Sequence, residues 1–132
     1  MTRYGIDALT AVRLVREGIV VSTDHQLVAP QVLRSRALGI IYGEFRSGAI
    51  DKSTANEMLE RLTTMRIRLL GDRMSRGTAW RIALKNGWDD TLAAEYIAVV
   101  TLQADALVTL DPDLEEKASG LVDLAPFEAL LS

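Results

Sequence analysis

Cysteine is absent from the chain, so disulfides and thiolate zinc sites are excluded, and a reducing cytoplasm is the expected compartment. Histidine is nearly absent too, and His25 alone cannot build a histidine metal cluster. Any metal site must therefore be made of oxygen ligands, a donor set that favours magnesium or manganese over zinc. No apolar run is long enough to span a bilayer, and no basic segment followed by a long apolar stretch opens the chain. Neither a membrane anchor nor a signal peptide is expected. A cationic excess is missing as well. The net charge of −3 argues against a broad, nonspecific nucleic-acid surface, yet leaves room for a small site where a metal's own charge attracts phosphate.

What is present is enough for one folded domain. The 132 residues are 48% apolar and 25% charged, which supports a core and argues against disorder. The pattern alternates strands and helices without internal repeats. Tyr4–Ile6 reads as a strand ending at Asp7, followed by a helix over Ala8–Glu17 with Leu9, Val12, Val15 and Arg16 on one face and Gly18 as its stop. A strand over Gln26–Ala29 ends at Pro30, placed to open the next helix, Gln31–Arg46. Asp51 caps a helix from Lys52 to Met65 whose stripe is Ala55, Met58, Leu59 and Leu62, and apolar surface there suits a symmetric dimer. Then follow a strand at Ile67–Leu70, a helix over Ser75–Lys85 stopped by Asn86-Gly87, and a helix from Thr91 to Gln103. Ala106–Leu110 is a near-continuous apolar run, interrupted by Thr109, of the kind found in parallel strands covered on both faces. A short helix over Pro112–Ala118 and a last strand at Leu121–Leu124 complete an α/β chain whose alternation predicts a three-layer α/β/α sandwich on a parallel sheet.

Two carboxylates, Asp7 and Asp111, each fall directly after a strand. In open α/β sheets the ligand crevice lies at the carboxyl ends of strands, where connections diverge to opposite faces. Neighbouring strands would bring the two acids together, a costly arrangement unless a cation bridges them. Each acid also has an ordinary structural reading as a helix cap: Asp7 before Ala8, Asp111 before Pro112 with Asp113 and Glu115 in the next turn, and Asp90 ahead of Thr91. The arginines at 61, 66, 68, 73, 76 and 81 read as a solvated helical face with Glu57 and Glu60 as partners, or less simply as an RNA-facing stripe. Trp80, Trp88 and Tyr96 read as core or interface anchors. A phosphoacceptor receiver domain has similar strand-end aspartates, but needs a lysine after its last strand, where Ala125-Pro126-Phe127 stands.

Four segments together resemble the PIN domain, in particular the short bacterial toxin ribonucleases of the VapC type. They are Ile6-Asp7-Ala8, Leu27-Val28-Ala29-Pro30, Glu95-Tyr96-Ile97-Ala98 and Leu107-Val108-Thr109-Leu110-Asp111, and they span nearly the whole chain as a single PIN-like domain, 1–132. The resemblance implies an acidic pocket that holds magnesium or manganese and cleaves single-stranded RNA. It also implies homodimers and inhibition by a small VapB-like antitoxin. Asp7 matches the first family acid and Asp111 the acid after the threonine. The second and third acidic positions are occupied by Arg36 and Ala93. Glu44 lies eight residues past Arg36, about 12 Å along a helix, too far to replace it. Asp90 sits one turn before Ala93 on roughly the same face, with Asp89 beside it, whereas Glu95 is turned about 200° away. The expected metal and catalytic set is therefore Asp7, Asp111 and Asp90, with Asp89, Asp113 and Glu95 behind them. Arg36 is expected to grip substrate phosphate or to pair with Asp7 or Asp111, and Thr109 to serve substrate binding by fixing a carboxylate. The alternative is a catalytically degenerate module of the same fold that binds RNA or a protein partner.

Overall fold

Neighbouring residues on a strand point to opposite faces of a sheet. Val28 and Ala29, and again Leu107 and Val108, are all fully buried, so the sheet that contains them must be covered on both sides. The computed structural model, which describes residues 1–132, has this arrangement. Four strands, β1 (Thr2–Ile6), β2 (His25–Pro30), β3 (Arg68–Leu70) and β4 (Ala106–Val108), form one sheet in the order β3-β2-β1-β4. Every pairing is parallel, with Tyr4 beside Leu27 on one side and Ile6 beside Val108 on the other.

One layer consists of α1 (Ala8–Glu17), α2 (Leu33–Arg46) and α3 (Lys52–Thr64), which share an apolar cluster built on Val12, Val15, Ala37, Ile41, Met58 and Leu62. The opposite layer centres on α5 (Leu92–Gln103), buried on nearly all sides and packed against β1, β2 and β4. Against α5 lies α4 (Arg73–Asn86), through a seam of Ala79, Ala83, Ala94 and Ala98, and then α6 (Pro112–Ala118). The result is a three-layer α/β/α sandwich. The chain leaves β1 toward β2 and β3, then returns across the other face to place β4 on the far side of β1. The direction of crossover thus reverses between β1 and β4, and a crevice opens there at the carboxyl ends.

Local signals hold in most places. Gly18 and Gly87 stop α1 and α4 in the left-handed conformation, at φ 64° and 69°. Three aspartates cap helices in the same way, accepting from the backbone N–H three residues on: Asp7 from Thr10, Asp51 from Thr54 and Asp72 from Ser75.

Four expectations need correction. Pro30 ends β2 instead of opening a helix, because Gln31 N–H still donates to Leu70 O at 3.0 Å and α2 begins only at Leu33. Leu121–Leu124 is not a strand. Only Leu124 bridges to Leu107, because the segment between Gly120 (φ 83°) and Pro126 is too short to pair further. It leads into a 3-10 helix, Phe127–Leu131, whose Phe127 and Leu130 enter the core. On α1, Leu9 and Arg16 lie outside the buried stripe, which includes Ala11 and Leu14 instead. Ala55, Met58 and Leu62 are buried against α1 and α2 within the chain, so they offer no dimer surface.

β1 and α5 approach each other closely at Gly5. A Cβ added at Gly5 would collide with Val100 Cγ2, so only glycine lets α5 sit this close to the central strand. Gly5→Ala is expected to cost about 1–3 kcal/mol by overpacking, read as a lower urea midpoint with an unchanged m-value.

Candidate active site

Asp7 follows the last residue of β1 and caps α1, which points its carboxylate into the crevice beside β4. Its Oδ1 accepts from Thr10 N–H at 2.9 Å, and its Oδ2 accepts from the Thr109 hydroxyl at 2.6 Å. The same hydroxyl oxygen accepts from Asp111 N–H at 3.0 Å. Because a hydroxyl carries one proton, that proton is committed to Asp7. Thr10 adds a second tie across the strands by donating its own hydroxyl to Val108 O at 3.2 Å. Asp111 in turn caps α6, accepting from Asp113 N–H at 3.0 Å. Unlike the exposed caps Asp51 and Asp72, Asp7 is only 3% exposed. A cap needs no such burial, and burying a carboxylate is costly. Capping therefore accounts for where Asp7 sits on the helix but not for its burial in the crevice.

Around these acids is a cleft of about 740 Å³. Asp7 and Asp111 stand at the strand ends, Ser35, Arg36 and Gly39 come from α2, Ala93 and Tyr96 from α5, and Asp113 and Lys117 from α6. Asp90 enters from the loop before α5, where it accepts from Leu92 N–H at 3.0 Å. Five residues singled out in the sequence, Asp7, Asp111, Asp90, Asp113 and Arg36, thus share one cavity, and Ala93 lines it as well. Four carboxylates face two cations there, a net negative site despite the two substituted positions.

Other expected residues lie elsewhere. Asp89 does not line the cleft. Glu95 faces a smaller cleft of about 150 Å³ beside Arg76 and accepts from the Thr91 hydroxyl at 3.1 Å. Thr109 does not line the cavity, so its part is to hold Asp7 and not to touch a ligand. Glu44 is paired with Arg16 on α1. Arg36 is exposed and makes no ion pair, which removes the expected pairing with Asp7 or Asp111 and leaves its guanidinium free toward the cavity. His25 is the first residue of β2, at the amino end of the sheet and away from the crevice, with its Nε2 2.8 Å from Ser132 O.

Two lining residues were not legible as site residues. Lys117 lies one turn after Asp113 and pairs with it at 3.2 Å, a spacing that reads equally well as a surface helix pair. Tyr96 reads as a core residue and is one, at 5% exposed, yet it also lines the cleft. Burial, then the nearby Asp7 charge, push its phenol up to about 12, with Arg36 pulling the other way.

No three Asp, Glu or His side chains converge closely enough to form a metal cage. Magnesium does not require one, because it keeps several waters and is commonly held by one or two carboxylates together with substrate phosphate. Asp7 and Asp111 are two carboxylates lining the same cleft.

No protein-family model matches the chain, and no curated protein matches it significantly in sequence. The architecture is shared with a solved structure. The crystal structure of PAE2754 from Pyrobaculum aerophilum superposes with a TM-score of 0.73 at 23% identity, over 98% of this chain and 93% of that one. At that identity the likeness establishes the α/β/α fold alone.

Thr109→Val removes the donor to a buried carboxylate and is expected to cost about 1–3 kcal/mol in urea unfolding. The raised Tyr96 phenol makes a second expectation. The folded chain keeps a proton that the unfolded chain loses from pH 10, so stability declines as pH rises from 10 through 12. A spectrophotometric phenolate titration should show a late phase near 12 that disappears in Tyr96→Phe.

Proposed function

We propose that the chain is a PIN-domain endoribonuclease of the VapC toxin type, cutting single-stranded RNA with magnesium or manganese. The observation that carries this reading is the meeting of Asp7 and Asp111 at the ends of adjacent parallel strands, in one cleft with Asp90, Asp113 and Arg36. Asp7 and Asp111 would hold the cation, with Asp90 supporting it through water. Once bound, the cation supplies a water acidic enough to attack and a positive charge for the phosphate oxygens.

The remaining work falls to the chain itself. Thr109 keeps Asp7 from rotating out of the crevice. Arg36 has no internal partner and presents a planar fork suited to bidentate capture of a phosphate. Tyr96, neutral to high pH, offers a hydroxyl to a substrate oxygen. A small antitoxin and a second copy of the chain are the partners this reading carries, and the cytoplasm its compartment. No helix is long and apolar enough to cross a membrane.

A second reading, a non-catalytic module of the same architecture, draws on Arg36 and Ala93 lining the cleft without carboxylates and on the lack of a three-acid cage. The two readings separate in solution. The nuclease should cleave single-stranded RNA only with magnesium or manganese. Asp7→Asn should abolish that activity, and Thr109→Val should lower it about 10- to 100-fold as the loss of a supporting partner. Cleavage that persists in both chelator and Asp7→Asn would refute the assignment. The non-catalytic module instead takes up no metal by calorimetry at millimolar magnesium, and gains binding only with Arg36→Glu and Ala93→Asp together.

A further inference from the structure

Positive charge is outnumbered in this chain, 15 Lys and Arg against 18 Asp and Glu, and it is not evenly spread. Between Arg66 and Lys85 stand six basic residues and one acid, Asp72, within a protein of net charge −3. None of the six is in an ion pair. The five arginines of the sequence reading other than Arg61 are exposed, as a solvated face requires, but of the expected partners only Glu57 is used, by Arg61.

On α4 these charges accompany side chains that ought not to be in water. Trp80 is 66% exposed and Leu84 73%. At about 100° per residue, Arg73, Trp80, Arg81 and Leu84 fall within an arc of about 100°, turned away from the alanine seam that joins α4 to α5. Gly77 stands one turn before Trp80 on the same arc. A mid-helix glycine costs about 1 kcal/mol against alanine, and here it leaves a bare ledge beside the indole. The Arg81 guanidinium folds back over that ledge, with Nη1 3.4 Å from where a Gly77 Cβ would stand and Nη2 donating to Thr78 Oγ1 at 3.2 Å.

The C-terminal end of α4 leads to the cleft. The loop that follows α4 carries Asp90 into the cavity, and Lys117, which lines the cavity, lies over the Trp88 ring at 5.5 Å. Trp80 is seven residues before the helix stop at Gly87, about 10 Å along the axis.

We infer that the outward face of α4 is a docking surface for single-stranded RNA, with Trp80 as a stacking platform and Arg73 and Arg81 as phosphate contacts, guiding the strand into the cleft. The choice of RNA rests on the nuclease reading, while the single-stranded character rests on this face. An exposed indole flanked by the Arg81 guanidinium accepts a planar base, and bases are available for stacking only when unpaired. A twofold contact between copies would set this cationic patch against itself, a like-charge arrangement that the missing counter-charges do nothing to relieve.

The test is fluorescence anisotropy of a labelled oligouridylate with the full chain in chelator, so that binding is read without cleavage. The oligonucleotide should quench tryptophan emission, and the quench should vanish in Trp80→Phe. Trp80→Ala should weaken binding about tenfold, and Arg81→Ala should reduce the slope of log affinity against log salt by about one. Equal affinity of Trp80→Ala and the unmodified chain, or tighter binding of a polyglutamate peptide than of the oligonucleotide, overturns the inference. So does a dimer in light scattering that Trp80→Ala dissociates. If the chain binds RNA through Trp80 but does not cleave it with magnesium, the nuclease reading fails and this surface stands. If cleavage persists while the α4 variants bind normally, only the surface fails.

Discussion

The hydroxyl of Thr109 ties together the two strand ends on which the cleft is built. It donates to the Asp7 carboxylate at the end of β1 and accepts from the backbone N–H of Asp111 beyond β4, so one atom links the acid of one strand to the chain leaving the other. A hydrogen bond to a charged group is worth about 1.5–3 kcal/mol, and more is at stake when the acceptor is as buried as Asp7. The tie also explains why β4 ends at Val108, although the apolar run continues to Leu110. Thr109 turns out of the ladder to meet Asp7, and Leu110 is left at the surface.

That tie needs β1 and β4 to be neighbours, and packing behind them secures this. β1 is the central strand, paired on both edges, and α5 presses on it at Gly5 through Val100. The α5 helix is apolar around nearly its whole circumference because three groups surround it: the sheet, α4 and α6. Its first turns then supply Ala93 and Tyr96 to the cleft. The element that most stabilises the sheet is thus also a wall of the site, so core and site are not separable here.

The aspartates show how a single side chain answers two demands. Asp7, Asp51 and Asp72 make the same cap, and hydrogen bonds from Thr54 and Ser75 hold Asp51 and Asp72 below the ordinary 3.8. Those two exposed caps stabilise the fold above that range and lose this contribution as pH falls through their lowered values. Asp7 differs in position, not in chemistry. It lies at the reversal of the crossovers, where a second acid and an unpaired arginine share its cavity. Capping and ligand binding are compatible, because a carboxylate has lone pairs left after accepting two hydrogen bonds.

By itself the sequence determined the elements and their order. Helix caps, glycine stops and the periodicity of α1, α3, α4 and α6 place those elements to within a residue or two, because such signals act over one or two turns. It also determined that acids follow β1 and β4, and that Arg36 and Ala93 stand where two further acids were expected. Only the tertiary structure decided that Asp7, Asp90, Asp111 and Asp113 share a cavity while Asp89 and Glu95 do not, since this depends on strand order and on which side of a helix meets the sheet. It alone decided that Leu121–Leu124 is a single bridge, that Ala55 and Met58 are spent on the core, and that Trp80 is left in water. Each of these outcomes depends on contacts between residues distant in the chain, and local pattern carries no record of which distant surface will cover a given face.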